Sequence, residues 1–191
     1  GTPGAVRNLD AIPGDRQVTL RWDEPADHGF SEITEYKVQG IGGTDVCTPQ
    51  GVEDEPGTYE CKVTGLVNGD SYTFGVHAVN GQGNGPSTYV NNVTPYGKPL
   101  GPDNVEVLIV GDGYAEIMWE EAEANGSPIT SYEILLDGEV VDTVGSPGYY
   151  RFEDLENGHT YTVGVRAVNA AGAGTPATDT FTPYGAPDAP V

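Results

Sequence analysis

The stretch "LVNGDSYTFGVHAVNGQGNGPS", residues 66–87, decides the fold, and it is written twice. Its echo, "LENGHTYTVGVRAVNAAGAGTP", occupies residues 155–176. Each copy opens on a Leu, passes through Asn-Gly to a Tyr, alternates, and closes in a glycine-rich run. Tyr72, Phe74, Val76 and Ala78 share one face of the first copy, and Tyr161, Val163, Val165 and Ala167 share one face of the second. A period of two with one apolar face predicts a half-buried β-strand. Asn-Gly ahead of it predicts a turn, because both residues tolerate positive φ.

Working outward, the same alternation recurs in matched pairs. "QVTLRW" sets Val18, Leu20 and Trp22 on one face, and "YAEIMW" does so with Ala115, Ile117 and Trp119. "ITEYKVQG" points Tyr36 and Val38 inward, and "ITSYEILLDG" points Tyr132, Ile134 and Leu136. "YECKVTGL" aligns Cys61 with Val63, and "YYRFEDL" aligns Tyr150 with Phe152. Turn residues such as Pro13-Gly14-Asp15 separate the runs. Short alternating strands at this spacing predict an antiparallel sandwich. A repeat that divides 191 residues in two predicts a pair of them.

These residues carry a family resemblance: each copy resembles a fibronectin type III domain. Trp22 and Trp119 in the second strand and Tyr36 and Tyr132 in the third support it. So do Leu66–Tyr72 and Leu155–Tyr161, which match the family's tyrosine corner, where the Tyr hydroxyl ties the turn back to the backbone. The resemblance implies an all-β chain of two tandem seven-stranded antiparallel, immunoglobulin-like β-sandwiches. In them Trp22, Tyr36, Leu66, Tyr72, Trp119, Tyr132, Leu155 and Tyr161 are structural core. The echo "TPYG", at 94–97 and 182–185, sets the expected domains at 1–96 and 97–184, with 185–191 a linker or the opening of a further repeat. The chain starts without Met and reads as a monomeric piece of something longer. Its wording is closer to bacterial secreted members of the family than to animal matrix proteins.

The 29 acidic and 8 basic residues leave a net charge of -21. Such a surface repels phosphate backbones and anionic headgroups, so neither nucleic acid nor a membrane surface is an expected partner. No run approaches the roughly 20 apolar residues of a membrane span, and none has a signal-peptide pattern.

The copies differ in one region. Tyr36 to Leu66 spans 30 positions and Tyr132 to Leu155 spans 23, so the first domain carries seven extra residues, bracketed by Cys47 and Cys61. Two cysteines in one domain predict a disulfide that clamps a floppy insertion and argues for an extracellular setting. Two buried thiols or half of a metal site are the alternatives, and no third soft ligand lies nearby for zinc.

Catalytic patterns fail. His28 sits in a turn, His77 on the expected outer face of a strand and His159 in the corner turn, and neither His77 nor His159 is matched by a His in the other copy. Asp23, Glu24 and Asp27, with Glu120, Glu121 and Glu123, follow the same strand in both copies and are candidate calcium ligands, calcium being the one cofactor considered. Both Trp residues point inward, so no aromatic platform for a glycan is expected. "GQGNGP" joins strands rather than opening a helix, which makes it a mobile hairpin loop and no phosphate site. The loop carries no Arg-Gly-Asp, while Asn92 and Asn125 fit the glycosylation acceptor pattern. The expected function is a non-catalytic spacer in a secreted or surface-attached adhesin or polysaccharide-degrading enzyme, with flanking domains of the same polypeptide as partners. The alternative is a module that binds protein or carbohydrate through the Cys47–Cys61 loop or the 80–87 loop.

Overall fold

Every alternating run becomes a strand in the computed structural model, which describes residues 1–186. Residues 187–191, most of the segment expected to open a further repeat, lie outside the described residues. The chain divides into two compact units, Gly1–Gly97 and a second beginning at Lys98. The first unit contains β1 (Arg7–Gly14), β2 (Gln17–Asp23), β3 (Ile33–Gln39), β4 (Gln50–Gly51), β5 (Thr58–Thr64), β6 (Tyr72–Asn80), β7 (Gly83–Asn84) and β8 (Thr88–Val93). The second contains β9 (Glu106–Gly111), β10 (Tyr114–Trp119), β11 (Ser131–Leu136), β12 (Glu139–Val144), β13 (Gly148–Phe152), β14 (Tyr161–Asn169), β15 (Gly172–Ala173) and β16 (Ala177–Phe181). β7 and β8 succeed one another along one side of β6, as β15 and β16 do along β14, and each pair is one interrupted edge strand. All pairings are antiparallel, and each domain is a two-sheet sandwich of seven strands.

The cores follow the predicted faces. Val18, Leu20 and Trp22 of β2 meet Val38 of β3, Cys61 and Val63 of β5, and Phe74, Val76 and Ala78 of β6. Ala115, Ile117 and Trp119 of β10 meet Tyr132 and Ile134 of β11 and Val163, Val165 and Ala167 of β14. Leu136 is only half-buried, and Leu135 is the buried neighbour instead. Leu135 pairs with Gly164, where a Cβ would lie 3.4 Å from the Leu135 side chain and 3.5 Å from Pro176. The missing side chain lets Leu135 lie down on the outer face. Tyr72, Tyr150 and Tyr161 are likewise half-buried, with their polar ends at the rim.

The repeated heptads act as clips. The backbone N–H of Val67 donates to the Tyr72 hydroxyl at 2.9 Å, and that of Glu156 donates to Tyr161 at 2.9 Å. The Asn of each heptad grips the turn between the first two strands of its domain. Asn68 Oδ1 accepts from Arg16 N–H at 2.7 Å and its amide donates to Asp15 at 2.8 Å. Asn157 Oδ1 accepts from Gly113 N–H at 2.9 Å and its amide donates to Asp112 at 2.7 Å. The next residues, Gly69 and Gly158, have φ of 90° and 87° and donate to the carbonyls of Pro95 and Pro183. Tyr96 and Tyr184 complete the ring by donating to Gly14 and Gly111. The "TPYG" echo is thus the third side of a three-way joint between the first hairpin, the corner and the last strand.

The fourth strand differs between the domains. In the second, Asp137 and Gly138 adopt φ of 50° and 83°, a two-residue turn that folds β12 back onto β11. Its sheets are β13-β10-β9 and β12-β11-β14 with the interrupted edge. In the first, the chain turns through Gly40–Gly43, touches β3 at the Gln39–Asp45 bridge and at Val46 N–H to Val38 O, and then leaves. It crosses to the opposite sheet, where β4 pairs with β5 in the order β1-β2-β5-β4. The Cys47–Cys61 disulfide, with a Cα–Cα distance of 5.8 Å, anchors the crossing to the core face of β5. The insertion is a strand that has changed sheets, rather than the floppy excursion expected from its length.

Two stability measurements test these attachments. Cys47→Ala with Cys61→Ala should lower the stability of the first domain by about 3 kcal/mol, the loop-closure value for a bridge of this span, and leave the second domain unchanged in urea unfolding. Asn68→Ala and Asn157→Ala should each cost their own domain about 1–2 kcal/mol and add in the double variant, read by calorimetry.

Candidate functional site

The acidic candidates do not gather. Asp23 accepts from Asn8 Nδ2 at 2.8 Å and Thr58 Oγ1 at 2.7 Å, and these bonds hold its carboxyl below the usual range. Glu24 faces His28 at 3.5 Å, and Asp27 caps Gly29 N–H at 2.8 Å. Glu120, Glu121 and Glu123 are exposed, and the Glu123 backbone pairs with Leu100. Among the described residues, no three His, Cys, Asp or Glu side chains are grouped to hold a metal ion.

The histidines part company. His159 stands 2.8 Å from Asp137 Oδ2 on an exposed turn, and Asp137 is held below its usual value first by Thr162 N–H and then by His159. His77 lies on the outer face of β6, as the alternation predicts, yet it is 6% exposed and its Nε2 has no partner. It faces Lys37 across the ladder, and the Tyr89 ring lies over its same-face neighbour Gly75, where a Cβ would come within 2.8 Å of the ring. Outer-face position does not mean exposure when a glycine lets an aromatic ring cover the sheet. Burial lowers the His77 pKa, and Lys37 adds to the shift.

Sequence reasoning also missed Glu116, an outer-face residue of β10 that is buried to 7% exposure. Arg151 holds it at 2.9 Å while stacking over Tyr114, 4.1 Å from the ring centre. The Tyr149 hydroxyl and the Arg151 guanidinium keep its carboxyl low. The signal for this cluster was absent, because Arg151 and Tyr149 come from β13, more than thirty residues away along the chain.

The glycine-rich segment 80–87 is held rather than loose. Asn80 donates to the carbonyls of Gly1 and His28, and its Oδ1 accepts from Gln82 N–H. Asn169 makes the matching bonds to Ala124, Ser127 and Ala171. A Cβ on Gly85 would lie 2.5 Å from the Pro3 carbonyl, and one on Gly174 would lie 2.3 Å from that of Pro99. These glycines let the first residues of each domain pass beneath the loop. The identical "AVN" of both copies was the available clue.

Where the first domain differs from the second, it opens a cavity. β12 flanks β11 as far as Tyr132, whereas the chain leaves β3 before reaching Tyr36. A cavity of about 320 Å³ occupies that flank, lined by Ile33, Thr34, Glu35 and Tyr36 on one side and Thr48, Pro49, Gly51 and Tyr59 on the other. Tyr59 sits opposite Trp22, a place held in the second domain by Gly148 opposite Trp119. Its ring centre lies 4.4 Å from that of Tyr36 and 6.4 Å from that of Trp22. The Tyr36 hydroxyl is buried without a partner at good hydrogen-bond geometry. Desolvation raises the Tyr36 pKa. The matched Tyr132 hydroxyl accepts from Ala122 N–H at 3.1 Å. At the matching position, three residues after Trp22, stands Pro25, which has no N–H to give.

Paired sandwiches with a corner Tyr bonded to the upstream backbone are immunoglobulin-like β-domains. The chain belongs to the fibronectin type III domain family, which it matches at residues 4–94 and 100–183. It is 32% identical over 174 residues to the Gallus gallus fibronectin type-III domain-containing protein 3a, covering 87% of this chain and 14% of that protein. It is 28% identical over 190 residues to the Bos taurus receptor-type tyrosine-protein phosphatase F, covering 90% of this chain and 10% of that protein. The chain thus spans a small part of these relatives. A two-domain fibronectin type III segment from chicken tenascin superposes with a TM-score of 0.42 at 18% identity, covering 93% of this chain and 98% of that one. The two relatives matched by sequence are vertebrate proteins and do not show the expected bacterial kinship.

His77 makes the first domain sensitive to mild acid. The folded imidazole resists protonation, whereas the unfolded one takes a proton as pH falls through about 6.5. The unfolded state then binds more protons, so stability declines from that pH downward until the folded state protonates too. His77→Gln should remove this component from the melting temperature of the first domain between about pH 8 and about pH 5. An unchanged pH profile in the variant would refute the assignment.

Proposed function

We propose that the chain is a non-catalytic spacer within a larger extracellular multidomain protein, such as an adhesin or a polysaccharide-degrading enzyme, holding the domains on either side of it apart. The observation that carries this reading is how short the connection is. Tyr96 N–H is still bonded to Gly14 of the first domain, and the Lys98 carbonyl already accepts from Asn125 of the second at 2.8 Å. Gly97 stands between them, and Pro95 and Pro99 fix φ on either side. A joint this short limits the freedom of a linker, and the net charge of -21 discourages association with other acidic surfaces.

A second reading is an interaction module, favoured by the cavity behind Thr48, Pro49 and Gly51 in the Cys47–Cys61 segment. Loops carried on a rigid sandwich are common seats of recognition.

Small-angle scattering tests the spacer reading. The chain should give one narrow distribution of interdomain distances that persists from low to high salt. A broad distribution of interdomain angles would overturn it.

A further inference from the structure

The first domain begins the hairpin of the second and then abandons it. Twelve positions separate Tyr36 from Thr48, as twelve separate Tyr132 from its ladder partner Val144. The Gln39–Asp45 bridge and the bond from Val46 N–H to the Val38 carbonyl start the same register on β3. Continued, that register sets Cys47 opposite Lys37 and Thr48 opposite Tyr36. Backbone groups along an antiparallel strand alternate in direction, so those of Tyr36 face the open flank as those of Val38 do. Pro49 would fall opposite Glu35, where its missing N–H points away from β3. Register and proline alike permit residues 47–49 to lie on β3.

The chain is long enough for either position. In the second domain four positions separate Val144 from Gly148, the residue opposite Trp119. In the first, eleven separate Thr48 from Tyr59, the residue opposite Trp22. All seven extra residues thus lie in this return, and β5 keeps its place whichever sheet the segment joins. The hold on the far sheet is short. β4 pairs Gln50 with Glu60 and Gly51 with Tyr59, and Val52 N–H donates to the Thr58 carbonyl. Voids flank the segment on both sides. The cavity of about 320 Å³ lies toward β3, and another of about 380 Å³ is lined by Thr19, Thr48, Gln50, Glu60, Cys61 and Lys62. The disulfide adds the covalent tie, with Cys47 half-buried and Cys61 only 2% exposed.

We propose that the Cys47–Cys61 disulfide is a redox latch, whose reduction releases residues 47–51 from β5 and lets them zip onto the open edge of β3, filling the cavity beside Tyr36. The reductant is a dithiol of the thioredoxin type. One of its thiolates attacks the half-exposed Cys47 sulfur, and Cys61 departs as a thiolate that takes up a proton. The second reductant thiolate then attacks the reductant sulfur of the mixed disulfide. Cys47 leaves and is protonated in turn, and the reductant ends as a disulfide. On β3, Cys47 takes the place of the exposed Thr143 and turns outward beside Lys37. Thr48 takes the place of Val144, which packs against the core. The latch goes beyond the spacer reading and does not depend on it.

The test is nuclear magnetic resonance of the isotope-labelled 191-residue chain before and after dithiothreitol. The oxidised chain should show cross-strand contacts between Gly51 and Tyr59. The reduced chain should lose them and gain an Hα–Hα contact between Lys37 and Cys47, the close pairing of a non-hydrogen-bonded position. Its Tyr36 N–H should exchange about tenfold more slowly, as one added hydrogen bond provides. A maleimide should label Cys47 in the reduced chain and leave Cys61 protected. Cys47→Ser with Cys61→Ser should show the same contact between positions 37 and 47 without reductant, and the second domain should be unchanged throughout. Gly51–Tyr59 contacts that persist in the reduced chain would overturn the latch. So would a reduced first domain that unfolds, or one whose residues 47–51 gain no contact with β3.

Discussion

Each domain closes on the grip of one asparagine. Asn68 and Asn157 reach from the corner turn to the first hairpin with both ends of the amide, donating to an Asp and accepting from a backbone N–H. Around that grip three chain segments distant in sequence are joined: the hairpin turn, the corner stapled by the tyrosine hydroxyl, and the exit of the last strand. A sandwich is two sheets held mainly by side chains packed between them, and packing alone leaves sliding motions open. Directional bonds at the rim set the position of one sheet on the other. This explains why the chain repeats L-x-N-G-x-x-Y and T-P-Y-G together. They are two halves of one joint.

With that frame duplicated, the rest of each domain was free to diverge, and it did so at the flank. A two-residue Asp-Gly turn keeps β12 beside β11 in the second domain. A longer glycine-rich turn lets the first domain's chain depart and join the other sheet. The departure removes cover from Tyr36, and Pro25 and Tyr59 alter its surroundings in the same neighbourhood. The disulfide spans the crossing, tying Cys47 to Cys61 on β5. Stability and the cavity beside the crossing therefore depend on the same few residues.

The legible part of the sequence was the part with a period. Val18, Leu20 and Trp22, and their counterparts Ala115, Ile117 and Trp119, alternate, and alternation in a sheet maps directly onto inside and outside. Leu66 with Tyr72 and Leu155 with Tyr161 were readable because their bond is local, spanning five residues from Val67 to Tyr72. The outer faces were harder. His77 and Glu116 look solvent-facing by parity, yet both are buried, since a neighbouring Tyr or Arg folds over the sheet from another strand. Leu135 was missed for a related reason, since Gly164 opposite it on β14 leaves a depression that its side chain occupies.

The sequence by itself determined the two sandwiches, their strand order along the chain, the corner tyrosines and the pairing of the only two cysteines, because each depends on local period, on turn chemistry or on counting. Tertiary structure alone decided which sheet the fourth strand joins and which surface residues are covered. It also decided that a proline three positions after Trp22 leaves the Tyr36 hydroxyl unanswered. Those outcomes depend on contacts between residues far apart in the chain, where one-dimensional spacing carries no information about distance.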